Sequence, residues 1–303
     1  MKAEWVERVC PVCGSSAIAR VFAESNIDLG VLDGFAFASR KMPEYMHPRL
    51  VECRECGLLY GTPVLSPGTL AGAYEAAQFD SEDEGYFASR TYGREIRRFV
   101  GKLPDLKGAL DIGAGNGAFL EELLQLGFTG VVGVEPSTAP IECAKPEIKP
   151  LLRHALFQPG DYEAGKFSLV SCFQTMEHVW APAEVVRGAL DLLKPGGAFV
   201  MVVHNRESWS AKLMGFKSPI FDVEHLQLFC PRSARGLFER IGFRDVVVSS
   251  LWNSYPIHYW TKLAPLPGGM KGPVFRFLKG SAVGRIPLAV PAGNLVCVGY
   301  KRG

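Results

Sequence analysis

The sequence predicts an α/β protein in which helices cover both faces of a doubly wound, mostly parallel sheet. Three observations lead to this fold class: apolar strand-like runs alternate with amphipathic runs, the turns between them are short, and a glycine-rich turn follows the first strand. That turn lies in 110–120, where Gly113, Gly115 and Gly117 separate an apolar run from an amphipathic one. The chain has 303 residues, 48% of them hydrophobic, which is enough for one large domain or two.

The predicted elements follow one another from residue 86 onward. The predicted helices are 86–103, 116–126, 137–144, 182–193 and 232–241. The predicted strands are 109–112, 131–135, 167–173, 198–203, 246–248 and 294–300. Ligands of such sheets bind beyond the carboxyl ends of the strands, so we expect a site where Asp111 and Glu135 end the first two strands.

Two cysteine pairs precede the sheet. Cys10 and Cys13 form one Cys-x2-Cys pair, Cys53 and Cys56 form the other, and a glycine follows each pair. Four thiolates in two close pairs suit tetrahedral zinc, and they leave no open position for a reaction. We therefore expect a structural zinc site.

Composition limits the classes of partner. A net charge of +2 does not indicate a nucleic-acid-binding protein. No apolar run reaches the ~18 residues of a membrane span, and the first residues lack the apolar segment of a signal peptide. We therefore expect a cytoplasmic protein, in which cysteines bind metal more often than they form disulfides.

Charge is unevenly distributed along the chain. No Asp or Glu follows Asp245. The basic residues of this stretch are Lys262, Lys271, Arg276, Lys279, Arg285, Lys301 and Arg302. Within it, 255–291 is long for a connection between strands, and it is either a lid over the site, an insertion packed on the domain or a peripheral contact with a membrane. We expect a zinc-ribbon domain over 1–80, with an insertion between the cysteine pairs, and a second domain over 81–303.

The glycine turn fits two classes of cofactor. Gly113 to Ala118 matches the G-x-G-x-x-G/A pattern of dinucleotide-binding turns, and Glu135 follows at a distance suited to a ribose. S-adenosylmethionine fits better, because Asp111 can meet a cationic or amino group and would repel a pyrophosphate.

Four segments of the second domain carry a more specific pattern. They are Asp111-Ile-Gly-Ala-Gly-Asn-Gly, Val132-Gly-Val-Glu-Pro-Ser, Phe173-Gln-Thr-Met-Glu-His-Val and Leu192-Leu-Lys-Pro-Gly-Gly-Ala-Phe. Together they resemble the class I S-adenosylmethionine-dependent methyltransferases, whose fold is a Rossmann-like sheet of seven strands. The resemblance implies a methyltransferase that takes its methyl group from S-adenosylmethionine.

The resemblance also implies roles for residues that match the family's motifs. The methionine part of the cofactor would be held by Asp111, Gly113, Ala114, Gly115 and Gly117. Glu135 would hold the ribose, Pro136 would lie beside the adenine, and Gln174 would line the methyl-transfer site. The adenine amide has three candidate partners, namely Phe157, Gln158 and Asp161.

The cysteine pairs and the segment 219–229 narrow the resemblance further. The combination is similar to bacterial zinc-ribbon methyltransferases of polysaccharide and deoxysugar pathways, including nucleotide-sugar C-methyltransferases. The latter carry Tyr-His-Glu-His where this chain has Asp222-Val-Glu-His, so Glu224 and His225 are retained. The resemblance implies a sugar, nucleotide-sugar or glycan as the methyl acceptor.

A hydroxyl or carbon nucleophile needs a base with a pKa near the working pH. His225, next to Glu224, is the first candidate, and His178 and His204 are others; any of them can instead be structural. One alternative function is an RNA methyltransferase that grips nucleic acid with the ribbon, although acids balance the arginines around the cysteines. A binding module without turnover is the other alternative.

Overall fold

The computed structural model describes residues 4–28, 45–75, 82–263 and 268–303. Strands in these residues form three sheets, of seven, four and two strands. None of the helices described is long and apolar enough to cross a membrane. The predicted insertion between the cysteine pairs falls largely on 29–44, outside the described residues.

The N-terminal segment forms the two-stranded sheet and contributes three strands to the four-stranded sheet. Its strands are β1 (Trp5–Val6), β2 (Ile18–Ala23), β3 (Leu50–Cys53), β4 (Leu59–Gly61) and β5 (Val64–Leu65). β1 pairs with β5, and β3 lies between β2 and β4, always antiparallel. Helix α1 (Pro67–Glu75) follows these strands.

Strands and helices alternate through the rest of the chain. The helices are α2 (Glu82–Arg97), α3 (Ala118–Gln125), α4 (Thr138–Glu142), α5 (Pro182–Leu192), α6 (Trp209–Met214), α7 (Pro231–Ile241), α8 (Ile257–Leu263) and α9 (Gly268–Gly280). The strands are β6 (Lys107–Ile112), β7 (Thr129–Glu135), β8 (Leu152–His154), β9 (Phe167–Phe173), β10 (Leu193–His204), β11 (Gln227–Leu228), β12 (Arg244–Pro256) and β13 (Pro287–Tyr300).

The seven-stranded sheet has the order β12-β13-β10-β9-β6-β7-β8. All pairs from β10 to β8 are parallel, and β13 is antiparallel to both of its neighbours. The carboxyl ends of β6, β7, β9 and β10 therefore lie at one edge, which we name the carboxyl edge. This topology confirms the prediction of a Rossmann-like, mostly parallel sheet of seven strands.

The core lies on both faces of this sheet. All seven residues of β9 are buried, which is typical of a central strand covered on both sides. Cys172 packs in one apolar cluster with Val186 of α5. The next residue, Phe173, faces the other side, and its ring centre lies 4.7 Å from that of Phe119 in α3. Successive side chains thus alternate between two helical layers.

Two features of the fold differ from the sequence prediction. β11 leaves the predicted second domain and pairs with β4, so residues far apart in the chain complete the four-stranded sheet. β12 and β13 also run well beyond the predicted segments 246–248 and 294–300. The outer halves of the two strands remain paired, from Asn253 opposite Val290 to Pro256 opposite Pro287. Helices α8 and α9 lie between these two strands in the chain. We name residues 253–263 and 268–290 the arm.

Candidate functional site

The glycine turn after β6 lies against the end of β7. The amides of Gly113 and Ala114 donate hydrogen bonds of 2.9 and 3.1 Å to the carbonyl oxygen of Val134. The amide of Gly115 donates to Glu135 Oε2 over 2.9 Å. These bonds place the turn at the carboxyl edge, beside both acids that the sequence predicts there.

All three glycines of the turn have positive φ, but they meet different constraints. A Cβ on Gly113 (φ 76°) would lie 2.2 Å from Thr175 Oγ1, and one on Gly117 (φ 74°) would lie 2.4 Å from Ile148 Cγ2. Around Gly115 (φ 55°), no neighbouring atom of the described residues lies within 4 Å of that position. Gly113 and Gly117 thus allow close packing, whereas Gly115 borders space that a ligand can fill.

Glu135 ends β7 and is buried. Its carboxylate accepts hydrogen bonds of 2.9 Å from the amides of Gly115 and Ser137. Burial raises the pKa of Glu135, and the two amides oppose that rise. Each carboxylate oxygen has two lone pairs, so the amides leave acceptor capacity for the hydroxyls of a ribose.

Asp111 is buried near the end of β6, with an exposed fraction of 3%. Ser171 of β9 donates its hydroxyl to Asp111 Oδ1 over 2.7 Å. The pKa of Asp111 is raised to about 7, chiefly by burial and also by the nearby charge of Glu135, while the hydrogen bond from Ser171 opposes the rise. A ligand ammonium group at this position would favour the carboxylate form.

Gln174 follows β9 in a strained conformation. Its φ of 51° is unusual for a residue other than glycine, and its amide donates to the carbonyl of Val202 over 2.8 Å. Gln174 Nε2 is buried and has no hydrogen-bond partner within the described residues. A buried donor without a partner costs free energy unless a ligand or water accepts from it, so the side chain suits a ligand at the carboxyl edge.

The predicted adenine side lies beyond β7 and β8. Pro136 is half-buried directly after Glu135, and its carbonyl lies 2.9 Å from His154 Nε2. Phe157 packs against the core and stacks on Tyr162, with ring centres 6.3 Å apart. The other two candidates for the adenine amide, Gln158 and Asp161, are exposed.

The structure brings the three predicted catalytic residues together. His178 lies in the turn after β9, and Glu224 and His225 lie in the loop before β11. One ligand-type atom from each residue lies within 4.8 Å of the others. Glu224 Oε2 is 3.7 Å from His178 Nδ1, and Glu224 Oε1 is 4.0 Å from His225 Nε2.

The orientation of His225 is fixed by its other ring nitrogen. Nδ1 lies 2.8 Å from the carbonyl oxygen of Ile220, and donation of its proton to that oxygen leaves Nε2 as the acceptor. Nε2 can then accept a proton from a ligand, with the Glu224 carboxylate 4.0 Å away. The same separations also suit a divalent cation, because imidazole and carboxylate are its common ligands.

Glu177, which is buried, and His204, which is half-buried, lie next to this cluster. The ring centre of His204 lies 5.1 Å from that of His225, and burial lowers the pKa of His204 to about 4, which keeps the ring neutral. Glu177 accepts a hydrogen bond from the amide of His204, and burial raises the pKa of Glu177 to about 8. Its Oε2 has no partner in the described part of the chain. Glu177 therefore orients the backbone beside the cluster.

The four cysteines converge as predicted. Sγ of Cys10 lies 3.5 Å from Sγ of Cys56, Cys13 and Cys53 are also 3.5 Å apart, and all four atoms lie within 4.8 Å of one another. The edge of a tetrahedron with Zn–S bonds of about 2.3 Å is close to these values. The cysteines are free thiols in the structure, so the donor set is compatible with zinc.

The sequence did not reveal Arg8, two residues before the first cysteine. Its guanidinium bonds to the carbonyls of Gly61, Trp180 and Leu226 and to the side chain of Gln227. No motif marks this residue, because its partners are scattered over three distant segments.

Comparison with known proteins finds methyltransferases among the proteins that are similar to this chain. Residues 85–248 match the family described as methyltransferase domain, which is more than half of the chain. A ubiquinone biosynthesis O-methyltransferase of Escherichia coli O9:H4 (strain HS) is 28% identical over 134 residues, covering 42% of this chain and 52% of the relative. The chain thus spans about half the length of the curated relatives it matches.

Solved structures of methyltransferases are also similar at low identity. A SAM-dependent methyltransferase from Thermotoga maritima has 18% identity and a TM-score of 0.48, covering 72% of this chain and 91% of that one. Geranyl diphosphate C-methyltransferase from Streptomyces coelicolor A3(2) has 14% identity and a TM-score of 0.45, covering 70% and 77%. The chain belongs to the methyltransferase domain family.

Proposed function

We propose that this protein transfers the methyl group of S-adenosylmethionine to a small, hydroxyl-rich acceptor, namely a sugar, nucleotide-sugar or glycan intermediate. The observation that carries the proposal is that two groups of residues lie at the carboxyl edge. One group, which we name the cofactor cradle, could hold the cofactor and consists of Asp111, Gly115, Glu135 and Gln174. The other is the cluster of His178, Glu224 and His225, of which His178 follows the end of β9.

Each residue of the cradle is assigned to one part of S-adenosylmethionine. Asp111 binds the amino group of the methionine part, the space at Gly115 admits that part, and Glu135 binds the ribose hydroxyls. Gln174 Nε2 donates a hydrogen bond toward the methyl-transfer site. When bound, S-adenosylmethionine supplies an electrophilic methyl group for an in-line displacement, and these contacts orient it.

His225 acts as the base toward the acceptor. Its Nε2 removes the acceptor proton, while the Ile220 carbonyl holds Nδ1 and Glu224 stabilises the imidazolium that forms. His178 lies close enough to orient the same hydroxyl, with its ring centre 4.9 Å from that of His225. Imidazole and carboxylate groups bind hydroxyls well, which supports a polar acceptor.

The ubiquinone biosynthesis O-methyltransferases among the relatives support oxygen as the acceptor atom. The N-terminal surface favours a small molecule over RNA. Arg20 pairs with Glu52 and Arg49 with Glu24, so these arginines are partly neutralised. RNA-binding surfaces instead present clustered, unneutralised basic side chains.

The four cysteines bind a structural zinc ion in this proposal, and the N-terminal zinc ribbon over 1–80 accompanies a methyltransferase domain over 81–303. Zinc fixes the two turns that carry the cysteines, where Gly14 and Gly57 have φ values of 72° and 74°. The zinc ribbon and the Glu224-His225 pair together support a sugar-type acceptor.

Formation of S-adenosylhomocysteine tests the function. We expect turnover with at least one member of a panel of nucleotide-sugars and lipid-linked sugars, and none with tRNA. His225→Gln is expected to lose turnover and keep cofactor affinity, whereas His258→Gln, in the arm, serves as the matched control. Turnover with tRNA alone, or equal turnover in His225→Gln and the control, would contradict the proposal.

A further inference from the structure

The arm has an unusual exposed surface. Along α9, Met270, Pro273 and Phe277 are exposed at the spacing of one helical stripe, while Val274 and Leu278 are half-buried behind it. The exposed fractions of Met270 and Phe277 are 56% and 76%. A surface helix normally presents polar residues on its exposed side, so α9 departs from this pattern by also exposing large apolar residues.

The segment after α9 extends this surface. Val283, Ile286 and Leu288 expose 56%, 53% and 46% of their areas. The exposed residues between 269 and 289, within the part whose side chains are described, are all Gly, Ala, Pro, a larger apolar residue or a basic one. The basic residues are Arg276, Lys279 and Arg285. We name these exposed residues the arm surface.

The charge and position of the arm surface indicate what covers it. The chain has no acid after Asp245, so acidic side chains of its own C-terminal part cannot neutralise the three cations. Apolar side chains among Lys and Arg are typical of segments that lie in the interface of an anionic bilayer. β12 has the same direction as β10, so the arm projects from the carboxyl edge, where the candidate site lies.

We propose that the arm surface binds the surface of an anionic phospholipid membrane. Phe277, Val283 and Ile286 insert at the level of the headgroups, and Arg276, Lys279 and Arg285 contact lipid phosphates. Aromatic contacts hold the base of the arm against the domain. The ring centre of Phe87 in α2 lies 6.2 Å from that of Tyr255 and 6.4 Å from that of Tyr259. The membrane would then face the open edge of the sheet.

Vesicle co-sedimentation of the full chain tests this proposal. We expect binding to vesicles of phosphatidylcholine mixed with phosphatidylglycerol, weak binding to phosphatidylcholine alone, and weakening by high salt. The variant R276E/K279E/R285E should bind about 100-fold more weakly, since each basic residue near such a surface contributes about a factor of five. F277S/V283S/I286S should bind at least about tenfold more weakly.

Matched variants control for unrelated effects. Arg90, Lys149 and Lys166 are exposed outside the arm, so R90E/K149E/K166E changes the net charge equally. Val247→Ser removes an apolar side chain that is 57% exposed at the other end of β12. Both should keep most of the binding. Absence of binding by the intact chain, or equal loss in the control variants, would overturn the proposal, as would a dimer in sedimentation equilibrium that F277S/V283S/I286S abolishes while vesicle binding persists.

A separate set of contacts concerns Arg8, in the segment that carries the first cysteine pair. Arg8, two residues before Cys10, donates hydrogen bonds to both segments that carry the histidines of the candidate site. Its Nη1 donates to the carbonyl of Trp180 over 3.3 Å, two residues after His178, and its Nη2 donates to the carbonyl of Leu226, next to His225. Nη2 also donates to Gln227 Oε1 over 2.9 Å.

We infer that Arg8 is a positioning residue that sets the separation of His178 and His225. The inference rests on the proposed role of His225 in the reaction. Only a planar guanidinium reaches two segments at once while its Nε bonds to the carbonyl of Gly61, which Lys cannot do. Arg206 is the matched control, because it joins Glu52 and Gly57 to the domain without contacting either histidine segment.

Long-range ¹H–¹⁵N spectra of the six histidine rings provide a readout besides turnover. Arg8→Lys is expected to shift the ring signals of His178 and His225 and to lower kcat at least about tenfold with KM for the cofactor unchanged. Arg206→Lys should leave both rings unchanged. Unchanged His178 and His225 signals in Arg8→Lys would overturn the positioning role, whereas shifted rings with full turnover would overturn the role of His225 instead.

Discussion

A methyl group added at each glycine of the turn should separate packing from ligand binding. At Gly113 the new Cβ would lie 2.2 Å from Thr175 Oγ1, with φ at 76°. The left-handed backbone costs about 1–2 kcal/mol, and the overpacking costs about 1–3 kcal/mol more. Gly113→Ala should therefore lower the free energy of unfolding by about 2–5 kcal/mol, measured by urea denaturation.

Gly115→Ala should behave differently, because nothing described lies within 4 Å of its Cβ position. Only the backbone cost of about 1–2 kcal/mol applies to the free protein. The methyl group would instead occupy the space that we assign to the methionine part of the cofactor. A clash of about 1–3 kcal/mol weakens the affinity for S-adenosylmethionine by about five- to 150-fold in calorimetric titration.

Gly165→Ala is the control for Gly115→Ala. Gly165 has a φ of 69°, and its Cβ position is equally open, but it lies in the turn before β9, at the edge opposite the site. It should lose similar stability and no cofactor affinity. Equal affinity for S-adenosylmethionine in the two variants would refute the assignment of Gly115 to the cofactor cradle.

Three further predictions concern charge and metal. The affinity for S-adenosylmethionine should rise between about pH 6 and 8, because Asp111, with a pKa of about 7, pairs with an amino group only when ionised; Asp111→Asn should weaken binding and remove this dependence. Cys53→Ser should lose bound zinc in a colorimetric metal assay and lower the melting temperature, whereas Cys143→Ser, at an exposed thiol, should change neither. Turnover should need no added divalent cation after mild chelation that spares the zinc; dependence on Mg²⁺ or Mn²⁺ would show that His178, Glu224 and His225 bind metal.

The same raised pKa affects the stability of the free protein. In the unfolded chain the pKa of Asp111 returns to about 3.8, below its value of about 7 in the folded state. Its contribution to stability is therefore present in full below about pH 4 and is lost as the pH rises through 7. Asp111→Asn should reduce this loss, as chemical denaturation of the cofactor-free protein at pH 5 and 8 would show.

Much of the central sheet could be predicted, because its strands are apolar runs bounded by strong turn signals. β9 has the predicted bounds, since a strand buried on both faces is a continuous apolar run. Asp111 and Glu135 could be placed at one edge because parallel strands end on the same side. The helix after the glycine turn begins at Ala118 rather than Asn116, because Gly117 takes a left-handed conformation.

The contacts that join the N-terminal segment to the site could not be predicted. β11 has two residues, which is too short for a periodic pattern, and its partner β4 lies far away in the chain. Arg8 resembles any surface arginine until its distant acceptors are known. The paired outer halves of β12 and β13 were also missed, because polar residues and prolines interrupt their apolar alternation.

Calorimetric titration with S-adenosylmethionine and with NAD in parallel tests the central claim most directly. Both ligands have a ribose for Glu135, but only S-adenosylmethionine brings an amino group to Asp111, and the pyrophosphate of NAD would meet that carboxylate. The account predicts saturable binding of S-adenosylmethionine and no detectable heat with NAD. Tight binding of NAD without a response to S-adenosylmethionine would contradict it.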